Sequence, residues 1–140
     1  MGQRQNEGRK CFFVSACLLG NRCRWHGGLH DSATARKLIG NSPYFYACPE
    51  MLGGLSCPRP PVKRVGDRAF ETCPNKEERP NVTGPERTEE FMRGAELTLS
   101  LCRRYGVTHA ILCTRSPSCG ENGFTTRLLK EEGIQVTFVF

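Results

Sequence analysis

Ser116-Pro117-Ser118-Cys119-Gly120 follows the apolar run Val107 to Cys113 and precedes the amphipathic run Asn122 to Glu132. That order reads as strand, tight turn, helix. A cysteine in such a turn is expected to gain thiolate character from the N–H groups and positive dipole of the helix N-terminus. Two other stretches share the outline. Lys10 to Gly20 is an apolar run whose end carries Cys17 and then a glycine turn, and Tyr44-Phe45-Tyr46-Ala47 leads into Cys48-Pro49-Glu50. If the three strands lie parallel in one sheet, their carboxyl ends share an edge, and open α/β sheets bind ligands in the crevice along it. Cys17, Cys48 and Cys119 would converge there.

The remaining chain supplies the helices. The first strand, Cys11 to Ser15, lacks polar alternation, as expected of a strand buried on both faces. Ser32 to Ile39 reads as a short helix with Ser32 as its N-cap and Gly40 at its end. Thr88 to Tyr105 is the clearest helix: Thr88 can cap it, Glu89 and Glu90 suit its positive end, Arg103 and Arg104 its negative end, and Gly106 stops it. Phe91, Ala95, Leu99, Cys102 and Tyr105 share one face, and Gly94 and Ala95 would permit close approach to the sheet. A last strand from Ile134 to Phe140 completes βαβαβ order, which predicts a parallel sheet with helices on its faces. Between Met51 and Pro85 the pattern breaks into Gly53-Gly54, Pro58-Arg59-Pro60-Pro61 and a polar, proline-containing stretch. This segment is expected to be a site cover or an ordered meander over one sheet edge.

A chain of 140 residues fits one domain, residues 11–140, behind a disordered tail of residues 1–10. Nine cysteines are an odd number, and the polar, basic start carries no apolar leader. No stretch has the apolar length of a membrane span, so a reducing, cytoplasmic compartment is expected, where clustered cysteines point to metal or catalysis rather than bridges. The net charge of +6 admits an anionic partner. Without a basic block interleaved with aromatics, RNA is possible but not indicated, and a solvated basic surface suffices.

Small buried thiols account for Cys11, Cys102 and Cys113, and Cys57 and Cys73 are loop thiols. Cys17, Cys48 and Cys119 differ because all three end strands on the expected ligand edge. Cys23, six residues after Cys17, is an alternate ligand. No two cysteines are closer than this spacing, whereas structural zinc sites use close C-x2–4-C pairs. Three thiolates gathered from distant loops suit an iron–sulfur cluster. A cubane with three cysteine ligands leaves one open iron, a Lewis acid for a substrate's sulfur or oxygen. Glu50, two residues after Cys48, is the candidate for moving protons, with burial near apolar residues expected to raise its pKa. Ser116 and Ser118 can donate to a ligand or cap the following helix. His26 and His30 are loop residues that could line the site; His109 is a core or edge residue of a strand.

Taken together, these motifs resemble a known family. They are Ser15-Ala16-Cys17-Leu18-Leu19-Gly20 with Cys23-Arg24, and Cys48-Pro49-Glu50 with Gly53-Gly54-Leu55 and Pro58-Arg59-Pro60-Pro61. Then come Thr88-Glu89-Glu90-Phe91 with Gly94-Ala95, and Ser116-Pro117-Ser118-Cys119-Gly120. In this order, from Cys11 to Val136, they resemble the 2-thiouracil desulfidases, formerly the domain of unknown function numbered 523. The resemblance implies a Rossmann-like three-layer α/β/α sandwich with a mainly parallel sheet. It implies a [4Fe–4S] cluster on Cys17, Cys48 and Cys119 with one open iron, and non-redox desulfuration of a thiolated pyrimidine to give hydrogen sulfide. Glu50 would be the acid/base and Ser116 the substrate-orienting hydroxyl, with a thiolated base or nucleotide as the small-molecule substrate. The sequence departs from the family at Trp25, His26 and Cys57 and in the short segment Glu121 to Phe124.

Two readings from other classes compete. One is a non-catalytic cluster- or metal-binding module whose basic surface docks RNA or an acidic partner. The other is a thiol redox protein using Cys17 and Cys23.

Overall fold

The structure, a computed structural model, describes residues 10–21, 31–57, 59–72, 83–114 and 116–139. The expected tail up to residue 9, and Cys23, Arg24, Trp25, His26, His30, Cys73 and Arg115, lie outside the described residues.

Four strands form the main sheet: β1 (Phe12–Ser15), β2 (Tyr44–Ala47), β6 (His109–Cys113) and β7 (Gln135–Val139), in the order β2-β1-β6-β7 with every pairing parallel. β1 is buried along its whole length, as its lack of alternation requires. Its alternate side chains feed two cores. Phe12 and Val14 join Ile111, Val139, Ala35 and Ile39 on one face, under helix α1 (Ala33–Ile39). Phe13 joins Ala110, Leu112, Cys102 and Leu129 on the other, under α3 (Thr88–Tyr105) and α4 (Phe124–Glu131). Helices on both faces make three α/β/α layers.

The Ser32 side chain caps α1 by accepting from the Ala35 N–H, as expected. Thr88 does not cap α3. The N-cap is Arg87, without a side-chain cap bond, and the Thr88 hydroxyl accepts from the Ala69 N–H instead. Tyr105, expected on the buried face of α3, is 55% exposed. The amphipathic run after Cys119 becomes helical only at Phe124.

The stretch after Met51 contains a second sheet that the proline-broken pattern concealed. Strands β3 (Val62–Val65), β4 (Arg68–Thr72) and β5 (Thr83–Glu86) pair antiparallel in the order β3-β4-β5. Val65 opposes Arg68 across a two-residue Gly66-Asp67 loop with Gly66 at φ +60°, the glycine-led turn that closes tight hairpins. Ala69 of this sheet packs with Phe91, Ala95 and Phe124 in a third apolar cluster, so the small sheet rides on α3 and α4 rather than on an edge of the main sheet.

The expected close approach of Gly94 also has a different partner. A Cβ on Gly94 would stand 1.9 Å from the Pro49 carbonyl oxygen, and one on Gly53 would stand 1.8 Å from the Glu90 carbonyl oxygen. Helix α3 therefore meets the one-turn helix α2 (Pro49–Leu52) backbone to backbone. Glu50 is carried on that turn.

Candidate functional site

Three connections leave the carboxyl ends of adjacent parallel strands and meet around one cavity of about 160 Å³. After β1 the chain turns in a 3-10 turn, Ala16–Leu18, which carries Cys17. After β2, Cys48 is the N-cap residue of α2 and Pro49 its first residue, a position that tolerates proline's missing N–H. After β6 comes the Ser116 to Gly120 turn with Cys119. Cys17, Cys48, Cys119, Glu50, Ser116 and Ser118 all line the cavity. The convergence expected from strand ends is present.

The turn is held by its own serines. Ser116 Oγ accepts from the backbone N–H groups of Ser118 and Cys119, both at 3.2 Å. Its hydroxyl donates to Glu50 Oε2 at 2.9 Å, and Ser118 donates to the same oxygen at 3.0 Å. The other carboxylate oxygen, Oε1, accepts from Arg59 Nε at 3.0 Å and Nη2 at 2.8 Å. Glu50 is buried, but it is ringed by four donors rather than by the apolar surroundings expected for it. For Arg59, burial opposes the charge, yet the Glu50 carboxylate and, less strongly, Cys48 and Cys57 hold its pKa above the ordinary value.

Cys119 does not have the thiolate character expected of a helix N-terminus. It is 4% exposed and lies before the helix begins, and burial pushes its pKa up to about 12 against the opposing hydrogen bonds from Ser15 and Ser118. Ser15 Oγ lies 3.2 Å and Ser118 Oγ 3.6 Å from its sulfur. With the Ser118 hydrogen directed at Glu50, Ser15 is the hydroxyl donor to the sulfur, and the first N–H groups of α4 are taken by the Pro117 and Ser118 carbonyls rather than by the thiol.

Two residues have roles at the site that escaped the sequence reading. In the sequence Arg59, like Arg24 and Arg115, is a cation that could meet a phosphate, and no spacing rule connects it to Glu50. Ser15 ends a wholly buried strand, where a hydroxyl needs a partner, and that was the available signal. Cys113 is buried in the core as expected, yet it also borders the cavity. Cys102 is a core thiol, with its pKa pushed up to about 12 by burial. Cys57 lies in the connection leading to Arg59, and His109 sits in β6 with its ring 5.4 Å from that of Phe12.

The family described as 2-thiouracil desulfurase matches residues 12–139. The chain belongs to this family. A solved structure described as the [4Fe-4S]-dependent thiouracil desulfidase TudS is 37% identical, covers 93% of this chain and 91% of its own, and superposes with a TM-score of 0.76. The uncharacterized protein YbbK of Bacillus subtilis is 33% identical over 138 residues, 88% of this chain and 91% of its own. Membership of the 2-thiouracil desulfurase family thus extends over both sheets and the cavity. Among the described residues no helix is long and apolar enough to cross a membrane.

Proposed function

We propose that this chain is a [4Fe–4S]-dependent enzyme that removes sulfur from a thiolated pyrimidine of the 2-thiouracil type without redox change, releasing hydrogen sulfide. The carrying observation is the cavity itself, where three thiols and a hydrogen-bonded carboxylate meet on the ligand edge of a parallel sheet. Family membership and the name of the TudS structure agree with it.

The donor set fits a cluster. Cys17, Cys48 and Cys119 are soft ligands from three separate connections that line one cavity. In this proposal those three cysteines hold the cluster, and Cys23 lies outside the described residues. When bound, the cluster supplies a Lewis-acidic iron that polarises the thiocarbonyl through its sulfur. Glu50 takes a proton from a water molecule whose oxygen bonds to the carbon bearing sulfur. As the C–S bond breaks, the carbon keeps the oxygen and the water's two protons leave with the sulfur as hydrogen sulfide, so no electrons are exchanged with another reagent. Ser116 orients the substrate at the cavity wall. In the structure its one hydroxyl hydrogen is directed at Glu50, so contact with a substrate requires that bond to be exchanged. Pro49 and Pro61 give the cavity apolar walls suited to a flat base.

The test is iron and acid-labile sulfide per chain after oxygen-free reconstitution, followed by sulfide release from 2-thiouracil. About four of each are expected. Cys119→Ser is expected to fall well below that content and Cys102→Ser to match the native chain; an iron-free native chain, or a Cys119→Ser chain with full content, overturns the assignment. Ser15→Ala is expected to retain iron but lower the cluster's reduction potential, because a donor to a ligand sulfur favours the more negative, reduced state. An unchanged potential in a protein-film voltammogram removes Ser15 from that role.

A further inference from the structure

The grip of Arg59 on Glu50 is one-sided. A guanidinium facing a carboxylate commonly spans both oxygens in a fork. Here Nε and Nη2 both donate to Oε1, and Oε2 is left to the two serine hydroxyls. Nη1 donates to the Ser56 carbonyl at 3.0 Å, so the guanidinium plane is fixed by a third bond. Side-chain exposure is 6% for Arg59 and 10% for Glu50.

The backbone around Arg59 is anchored as well. Two residues on, the Pro61 carbonyl accepts from both the N–H and the hydroxyl of Thr72, at 2.8 and 3.0 Å. Thr72 ends β4, so the small sheet is tied to the segment that presents the guanidinium. Pro60 and Pro61 restrict the backbone between those points.

We propose that Arg59 is a positioning residue: it immobilises Oε1 of Glu50 so that Oε2, between Ser116 and Ser118, is the oxygen that exchanges protons at the cavity. This rests on the proton-transfer role given to Glu50 above. It also gives the small sheet a task, as the buttress of the carboxylate. Three of the five guanidinium N–H donors are engaged with Glu50 and Ser56, although the residue borders the cavity.

The test uses the full-length reconstituted chain with Arg59→Met and Arg59→Lys. Arg59→Met is expected to keep its iron and lose about a hundredfold in kcat for sulfide release from 2-thiouracil, with KM changed by less than about threefold. Arg59→Lys, which restores the charge and one donor, is expected to recover part of that loss. A second measurement does not depend on turnover. In denaturant midpoints, Glu50→Gln is expected to cost less in the Arg59→Met background than in the native one, because the two side chains act as a unit. Additive midpoints overturn the proposal. So does a raised KM with native kcat, which would make Arg59 a substrate contact. A native chain that loads iron but releases no sulfide overturns the functional reading; the midpoint cycle then still reads whether Arg59 holds Glu50.

Discussion

Glu50→Gln is expected to hold its iron and to release sulfide from 2-thiouracil about 10²- to 10⁴-fold more slowly than the native chain, the span ascribed to a positioned general acid–base group. Glutamine is the informative substitute. Its carbonyl oxygen can still accept from Arg59, and its amide can donate to the Ser118 oxygen that now donates to Glu50. Alanine would leave the Arg59 guanidinium buried without a counter-charge, a defect of about 3–5 kcal/mol, so inactivity in Glu50→Ala would mix chemistry with unfolding. Sulfide assay and iron content on the same sample decide the matter. Native activity in Glu50→Gln would exclude Glu50 from proton transfer.

Gly94→Ala is expected to destabilise the chain and to lower both iron retention and activity, although the residue lines no part of the cavity. Two effects oppose each other. Alanine is the better helix former by about 1 kcal/mol. Its Cβ, however, would stand 1.9 Å from the Pro49 carbonyl oxygen and 3.2 Å from the Gly53 nitrogen, both backbone atoms that cannot rotate aside. To bring the first contact beyond 3.0 Å, α2 and α3 must part, and overpacking of this kind costs about 1–3 kcal/mol or more. The clash wins. Because Cys48 caps α2 and Glu50 lies within it, the displacement reaches the site. Thermal unfolding checks the first part as a fall of several degrees; a native midpoint with native iron content would show that the two helices separate freely.

The parts of the fold that were legible in the sequence are those governed by local pattern. The unbroken apolar run at β1, the amphipathic period and charge order of Thr88 to Tyr105, and the recurrence of a cysteine after each of three strands are periodic signals. They located the main sheet and the edge on which Cys17, Cys48 and Cys119 meet. The second sheet was hidden because Pro60 and Pro61 stand directly before β3 and mask a hairpin whose Gly66-Asp67 turn was nonetheless visible. Cys119 was misread electrostatically. The first N–H groups of α4 are bonded to the Pro117 and Ser118 carbonyls rather than to the thiol, so desolvation prevails at a buried sulfur. The partnership of Arg59 with Glu50 depends on how the second sheet is seated on α3 and α4, a tertiary fact with no local signature.

The pairing of β1 with β6 bears on how the chain acquires its cavity. At its start, Cys11 and Thr108, 97 residues apart, share hydrogen bonds, and the strands then run on in register to Val14 and Ile111. Cys17 and Cys48 lie on one side of that long loop closure and Cys119 on the other. Such a contact is entropically late, since the loop must close before any bond along it is gained. No fragment ending before β6 can enclose the space. Under the proposed function, capture of a cofactor by all three thiols would therefore act as a proofreading step, since it requires the β1–β6 pairing, the most distant strand pairing among the described residues.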